Sequence, residues 1–180
     1  MPELMPKPMI DYLVIGGGIL GVCIARELKT RYHDARIEVL EKESTCGEHA
    51  SGRNSGVIHA GFYYSESSLK ARLTRVGNEM LTAYCQEQGL PLRRCGKLVV
   101  AQNENDVPLL DVLLERAKKI GVRLQAISPS EAREIEPRVK VFGSKALFSP
   151  DTSSGDPIAT IRSLEKDAAD KGVIFKRGIR

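Results

Sequence analysis

A glycine-rich run between two apolar segments constrains the fold of this chain more than any other feature. Tyr12-Leu13-Val14-Ile15 predicts a buried strand, the glycines from residue 16 end it, and residues 19–32 have the pattern of a helix. Ile37 to Leu40 is a second short apolar run and predicts another strand. Strand, helix and strand within about 30 residues form the βαβ unit of a parallel sheet. The sequence therefore predicts an α/β fold.

The same run has the form G-x-G-x-x-G and is typical of a dinucleotide-binding turn. Gly16 permits the tight turn, Gly18 lets the backbone approach a pyrophosphate, and Gly21 lets helix and strand pack together. The helix N-terminus offers unpaired N–H groups to the phosphates. Glu41 ends the second strand and would accept hydrogen bonds from ribose hydroxyls, which disfavours NADP. FAD and NAD share this pattern, and the alternative is a glycine turn that binds nothing.

A second cluster, at residues 51–64, favours a flavin. It combines short hydrogen-bonding side chains, glycines that let a planar ring approach the backbone, and one histidine: Ser51, Asn54, Ser55, Gly56, Gly61 and His59. A histidine titrates near neutral pH and is therefore a candidate acid or base. Because the cluster follows Glu41 closely, we expect it to pass the pyrophosphate and reach the flavin ring.

With these two clusters, the chain resembles the N-terminal part of the L-2-hydroxyglutarate dehydrogenases and oxidases, FAD-dependent members of the D-amino-acid-oxidase-like superfamily. The resemblance rests on motifs that span nearly the whole chain: residues 11–21, 40–43, 53–64, 68–71, 95–98 and 156–157. It implies a Rossmann-like, glutathione-reductase-type parallel sheet that binds FAD, with the start of an inserted α+β substrate domain. It also implies a truncated chain, since complete members are longer.

The resemblance assigns a role to most residues of the two clusters. The FAD-binding residues that we expect are Gly16, Gly18, Ile19, Leu20, Gly21, Glu41, Lys42, Ser51, Asn54, Ser55, Gly56 and Val57. The implied reaction oxidises L-2-hydroxyglutarate to 2-oxoglutarate by hydride transfer to the flavin, with His59 as the candidate catalytic base. The alternative for His59 is a histidine that only packs beside the flavin. Electrons would then leave to a quinone, an electron-transfer flavoprotein or oxygen.

Three further side chains are candidates for the substrate pocket. Lys97 is either the partner of a substrate carboxylate or a solvated strand lysine, and the usual exposure of lysine favours the second. Arg53 has the same two interpretations, with a phosphate contact as a third. Tyr63 and Tyr64 are expected near the pocket, although ordinary packing explains at least one of them.

We expect residues 1–8 to form a flexible tail, 9–90 and 150–180 to form an incomplete FAD-binding domain, and 91–149 to belong to the substrate domain. Other functions stay open at this point. The alternative interpretations are a truncated, inactive nucleotide-binding module, an NAD-dependent dehydrogenase, and a flavin oxidoreductase acting on amines or glycerol 3-phosphate. An isolated chain of this length is expected to retain little FAD, because half a parallel sheet leaves an edge and an apolar face uncovered.

Composition and charge exclude several classes of protein. A hydrophobic content of 42% and a charged content of 28% are ordinary for a globular protein and exclude a disordered chain. The net charge of +4 is dispersed, which argues against nucleic acid as a partner. The apolar stretches are too short to span a membrane, so we expect a cytoplasmic protein or one attached peripherally to the inner membrane. The four cysteines lack metal-type spacing, and we expect them to be reduced and buried.

Overall fold

The computed structural model describes residues 9–179, so the expected tail at residues 1–8 lies outside the described residues. Helices and strands follow one another in the chain as β1 (Tyr12–Ile15), α1 (Ile19–Arg31), β2 (Ile37–Glu41), β3 (Val57–Ile58), α2 (Leu69–Glu87), β4 (Leu92–Arg93), β5 (Lys97–Val99), α3 (Val107–Ile120), β6 (Gln125–Ile127), α4 (Pro129–Ile135), β7 (Ala146–Ser149), β8 (Ser153–Gly155), α5 (Pro157–Asp170) and β9 (Ile174–Arg177).

The elements group into two compact units. Among the described residues, the first unit contains 9–55 and 156–179, and the second contains 56–155. The expected boundaries at residues 90 and 150 do not coincide with this division, because β3 and α2 belong to the second unit. Which unit binds FAD and which binds substrate stays a prediction at this point.

The first unit is built on a parallel sheet with strand order β1-β2-β9. Val14 lies opposite Val39, and Val39 lies opposite Phe175 on the other neighbour. The core contains Ala25 of α1, Ile37 and Val39 of β2, and Ala168 of α5. Strand β2 is central in this sheet, and four of its five residues are buried, including the acids Glu38 and Glu41. The predicted βαβ unit is confirmed.

The starts of helices α4 and α5 are capped by side chains. Asp156 accepts hydrogen bonds from the N–H groups of Ile158 and Ala159 at 2.8 and 3.0 Å, and Pro157 takes the first position of α5. Ser128 and Glu131 form a capping box at the start of α4. Helix α1 differs, because its N-cap is Gly18, which has no side chain to offer.

The second unit contains two small antiparallel sheets. One has the strand order β3-β8-β4 and the other the order β5-β7-β6. Leu110 and Ala117 of α3 are buried, the first against Leu147 of β7. Strands β3, β4 and β8 have two or three residues each, and we did not predict them, because such short segments have no hydrophobic period. The α+β character expected for a substrate domain is confirmed for this unit.

The cysteines only partly follow the prediction. Cys46 and Cys85 are buried, but Cys23 and Cys95 are exposed, so the expected burial is wrong for these two. Cys23 follows the buried Val22 on α1 and lies one position outside the core-facing stripe, whereas Cys95 lies in the connection between β4 and β5. Across residues 9–179, no helix has both the length and the apolar character that a membrane span requires.

Candidate functional site

The glycine-rich turn of the first unit has the conformation that its sequence predicts. Gly16 has a φ of 101°, which side chains rarely adopt, and its N–H donates to the carbonyl of Leu40 at 2.8 Å. A Cβ on Gly21 would lie 2.0 Å from the carbonyl oxygen of Gly16. The turn therefore closes only because Gly21, the third residue of α1, has no side chain at this contact.

Glu41 fastens the turn to the end of β2. Its side chain is 8% exposed, and its two oxygens accept hydrogen bonds from the N–H of Gly17 at 2.6 Å and of Glu43 at 2.9 Å. A carboxylate has about four lone-pair sites, so each oxygen keeps one for a further donor. Glu41 can thus order the turn and still accept hydroxyl groups of a ligand.

Ser51 completes the N-terminus of α1 from outside the helix. Its hydroxyl accepts a hydrogen bond from the N–H of Ile19 at 2.9 Å, which replaces the cap that Gly18 cannot supply. The N–H of Gly47 donates to the carbonyl of Gly17 at 3.0 Å. These two bonds hold the segment after β2 against the turn. The other N–H groups of the first helical turn have no acceptor within the helix and can bind an anion.

These residues surround a cleft of about 410 Å³. Five expected cofactor residues line it, namely Gly16, Gly18, Glu41, Lys42 and Ser51. It is also lined by residues that we did not single out from the sequence: Ile15, Leu40, Gly47, Glu48, His49 and Ile179. The signal for these was available, because segments that follow neighbouring parallel strands meet at the carboxyl edge of the sheet.

A second acid and a histidine lie beside the cleft. Nε2 of His49 is 2.9 Å from Oε1 of Glu43. This hydrogen bond, together with the nearby Lys42, holds the pKa of the Glu43 carboxyl below its usual range. Glu43 is therefore ionised at neutral pH.

The geometry fits the adenosine and pyrophosphate parts of a dinucleotide. No atom lies within 4 Å of the position that a Cβ of Gly16 would take, and only the Ser51 hydroxyl lies near that of Gly18. A phosphate can therefore approach the backbone at the start of α1, where N–H groups and the helix dipole favour negative charge. The buried carboxylate of Glu41 can accept hydrogen bonds from ribose hydroxyls.

Not every expected cofactor residue reaches this cleft. Leu20 is 76% exposed on α1, and Asn54 donates to the carbonyls of Ala50 and Ser51, both at 3.0 Å. Ser55 ends the first unit. Gly56 and Val57 belong to the second unit, where they pair with residues 154 and 155. Among the residues described, these do not line the cleft, and their role in binding stays a prediction.

The candidate base lies in the second unit. His59 directly follows β3, and its carbonyl accepts a hydrogen bond from Nδ2 of Asn78 at 3.2 Å. Although His59 is exposed, partial desolvation of its imidazole and, to a lesser degree, the positive charge of Lys97 hold the pKa of the ring below its ordinary value. The ring is therefore neutral at neutral pH, which is the state that can accept a proton.

Lys97 and Tyr63 form a pair in the same unit. Nζ of Lys97 lies 4.6 Å from the centre of the Tyr63 ring, a cation–π distance. Tyr64 makes the same kind of contact with Lys70 at 4.5 Å. Arg53, by contrast, is exposed in the first unit and is tied to the local turn by its N–H, which donates to the His49 carbonyl.

Comparison with known proteins decides the family. The sequence model of the DAO family, described as FAD dependent oxidoreductase, matches residues 11–180. The chain belongs to this family. Membership confirms the expected fold and confirms FAD, rather than NAD, as the cofactor of proteins of this kind.

Relatives within this family share much of the sequence. The chain is 44% identical over 154 residues to the L-2-hydroxyglutarate dehydrogenase, mitochondrial, of Nematostella vectensis, which covers 85% of this chain and 33% of the relative. It is 42% identical over 147 residues to the L-2-hydroxyglutarate dehydrogenase of Escherichia coli, covering 82% of this chain and 34% of that protein. The chain therefore spans about a third of the length of the curated relatives it matches.

A solved structure has the same fold. The L-alpha-glycerophosphate oxidase of Mycoplasma pneumoniae, with FAD bound, superimposes with a TM-score of 0.85 at 26% sequence identity. The match covers 96% of this chain and 45% of the oxidase chain. The glycine turn, the parallel sheet and the antiparallel sheets thus belong to one known architecture.

Proposed function

We propose that the protein is an FAD-dependent oxidoreductase that converts L-2-hydroxyglutarate to 2-oxoglutarate. The observation that carries this proposal is identity above 40% to proteins named L-2-hydroxyglutarate dehydrogenase over more than four-fifths of the chain. The cleft at the glycine turn supports the cofactor part of the proposal. The neutral histidine and the lysine of the second unit support the substrate part.

The first unit would hold FAD mainly through backbone groups and through few side chains. The start of α1, with Gly16 and Gly18, would receive the pyrophosphate, and Glu41 would accept hydrogen bonds from the adenosine ribose. Ser51 keeps the helix start and the following loop together. When bound, FAD supplies the acceptor for the hydride that leaves C2 of the hydroxy acid.

The second unit would supply the proton acceptor. The hydroxyl proton of the substrate passes to the imidazole of His59 while the hydride leaves C2, so that the C–O single bond becomes the carbonyl of 2-oxoglutarate. The substrate would thus lose one hydride to FAD and one proton to His59, which together are two electrons and two protons. The lowered pKa of His59 keeps the imidazole unprotonated for this step at neutral pH.

The electrons must leave to a second acceptor before the next turnover. We propose a quinone, an electron-transfer flavoprotein or oxygen as that acceptor, and a cytoplasmic or peripheral inner-membrane location for the protein. Relatives that carry the word mitochondrial in their names make an organellar location the alternative. Turnover without oxygen, with a quinone or an electron-transfer flavoprotein added, compared with turnover in air without either, separates the three.

A second candidate function rests on the solved structure. The superimposable oxidase acts on L-alpha-glycerophosphate, as its name states, so oxidation of glycerol 3-phosphate is the runner-up. The oxidase is 26% identical to this chain, whereas the L-2-hydroxyglutarate dehydrogenases are 42% and 44% identical, so we favour the hydroxy acid as substrate.

The experiment compares two histidine variants of the purified holoprotein, in the longest form that the gene encodes. We expect wild type to oxidise L-2-hydroxyglutarate in preference to the D-enantiomer, glycerol 3-phosphate and glycine. Replacing the candidate base, His59→Asn, should lower kcat about 10²- to 10⁴-fold with unchanged FAD content. The control His33→Asn changes a histidine in the turn between α1 and β2 and should leave kcat unchanged. Preference for glycerol 3-phosphate, or equal kcat values for both variants, contradicts the proposal.

A further inference from the structure

Lys97 is a half-buried cation that lacks a carboxylate partner among residues 9–179. Other lysines of the chain do have one, as Lys119 does with Glu66 at 3.0 Å and Lys176 with Glu38 at 2.6 Å. Holding an ammonium group away from water without an anion is unfavourable. A bound anion would remove that penalty.

The position of the Lys97 ammonium is fixed by its neighbours. The Tyr63 ring beneath it lies 4.4 Å from the ring of Phe62, which is 1% exposed and anchors the segment in the core. The carbonyl of Tyr63 accepts a hydrogen bond from Nη1 of Arg116 on α3 at 2.6 Å. The aromatic face takes one side of the ammonium, which leaves N–H donors for a ligand. The cation is thus arranged before any ligand arrives.

Lys97 also acts on the candidate base. Its charge contributes to the lowered pKa of His59, and both residues belong to the second unit. A substrate whose hydroxyl reaches His59 therefore enters the field of Lys97. L-2-hydroxyglutarate carries two carboxylates. A carboxylate that leaves water to bind near His59 loses hydration, and a cation such as Lys97 would compensate for that loss.

We propose that Lys97, held over Tyr63, binds a carboxylate of the substrate beside His59. The proposal rests on the proposed function for the identity of the substrate, although it applies to any carboxylate that the enzyme oxidises. It makes Lys97 a substrate-binding residue and Tyr63 and Arg116 its positioning residues. The alternative is a solvated lysine with no role in binding.

The test uses three lysine variants of the holoprotein in its longest encoded form. Lys97→Met removes the charge and keeps the length of the side chain, whereas Lys97→Arg keeps the charge. The matched control is Lys70→Met, because Lys70 lies over Tyr64 at a similar distance but is exposed. We would measure FAD content, kcat and KM with L-2-hydroxyglutarate, and the Kd of 2-oxoglutarate by calorimetry, which needs no turnover.

We expect Lys97→Met to raise KM and the Kd of 2-oxoglutarate about tenfold to a hundredfold, as for the loss of a charged hydrogen bond, with FAD content unchanged. Lys97→Arg should recover most of the loss, and Lys70→Met should match wild type. Equal KM and Kd values for Lys97→Met and Lys70→Met overturn the proposal, as does a loss of FAD in Lys97→Met alone. If wild type binds 2-oxoglutarate but oxidises another acid, the proposed substrate fails while the calorimetric comparison still decides the role of Lys97.

Discussion

The two units place their functional groups by different means. In the first unit, the cleft is made mainly of backbone: a glycine turn with a positive φ, a helix N-terminus, and one buried carboxylate that binds two N–H groups. In the second unit, the candidate groups are side chains from separate elements, with His59 after β3 and Lys97 at the start of β5. The cleft of the first unit depends on the absence of side chains at its glycines, whereas the candidate groups of the second unit depend on side-chain charge.

This difference predicts that substitutions in the two units will affect different properties of the protein. A substitution in the first unit that adds atoms should change folding and FAD retention together, because the same backbone does both. A substitution in the second unit that removes a charge should change turnover or substrate affinity and leave FAD in place. The predictions below test this separation, beginning with the largest effect.

The largest effect is expected at the contact between Gly21 and the turn. Replacing Gly21 with valine puts a Cβ only 2.0 Å from the carbonyl oxygen of Gly16. This clash is with backbone, which cannot move aside as a flexible side chain can. We expect the free energy of unfolding to fall by more than about 3 kcal/mol, with loss of bound FAD. Thermal unfolding and the flavin absorbance of the purified protein measure both.

The control for this substitution is Gly77→Ala on α2. No atom lies within 4 Å of the Cβ that it adds, and Gly77 is exposed inside the helix. It should raise stability by about 0.4–1 kcal/mol and keep FAD. Similar stability of the two variants would show that the turn tolerates side chains and that the backbone account of the first unit is wrong.

The next effect compares two buried acids of β2. Glu41→Gln replaces one accepting oxygen with an amide that faces a backbone donor, so we expect a loss of about 1–3 kcal/mol in stability and weaker FAD binding. Glu38→Gln breaks ion pairs with Arg36 and Lys176 and should also lower stability. Since Glu38 does not line the cleft, its variant should bind FAD as wild type does. Equal losses of FAD affinity in both variants would mean that Glu41 acts only through stability.

A smaller effect concerns pH. Burial first and Lys97 second lower the pKa of His59, so Lys97→Met should raise that pKa part of the way towards its ordinary value. A base works when it is unprotonated, so the acid limb of the kcat/KM profile should move to higher pH in this variant. Lys70→Met is the control and should leave the limb in place. A limb that moves to lower pH, or not at all, contradicts the coupling between Lys97 and His59.

The smallest effect serves to separate stability from function. Asp156→Ala removes the cap of α5 in the first unit, and Ser128→Ala removes that of α4 in the second. Each should lower the free energy of unfolding by about 1 kcal/mol, measured by denaturant titration. Neither should change FAD content or KM at a temperature where the protein stays folded. A change in either would mean that modest loss of stability alone mimics the site effects above.

The same contrast explains what the sequence could predict. The turn, Glu41 and the βαβ unit were predictable because a glycine pattern, an acid and two strands lie at fixed short separations, and local geometry decides their contacts. Helices α2, α3 and α5 were predictable from apolar period and caps, as the structure confirms. Their sequence signals lie within the segments themselves.

Features that depend on distant residues could not be predicted in the same way. The strand pairing of β3 with β8 joins residues nearly a hundred positions apart, and neither segment has a pattern of its own. The place of Lys97 over Tyr63 depends on Phe62 and on Arg116 of α3, so the exposure typical of lysine could not predict this contact. His49 was missed although it follows β2, because it lies in no motif, and Glu43 lies in the motif at residues 40–43 but was assigned no role.

One measurement tests the central claim, that a backbone-built FAD site and a side-chain-built substrate site serve one reaction. L-2-hydroxyglutarate is added without oxygen to the yellow holoprotein, in its longest encoded form, and the flavin absorbance near its long-wavelength maximum is followed. We expect rapid bleaching by L-2-hydroxyglutarate in wild type, and slow bleaching with full initial colour in His59→Asn. A flavin that stays oxidised with L-2-hydroxyglutarate but bleaches with glycerol 3-phosphate or an amine would contradict the account.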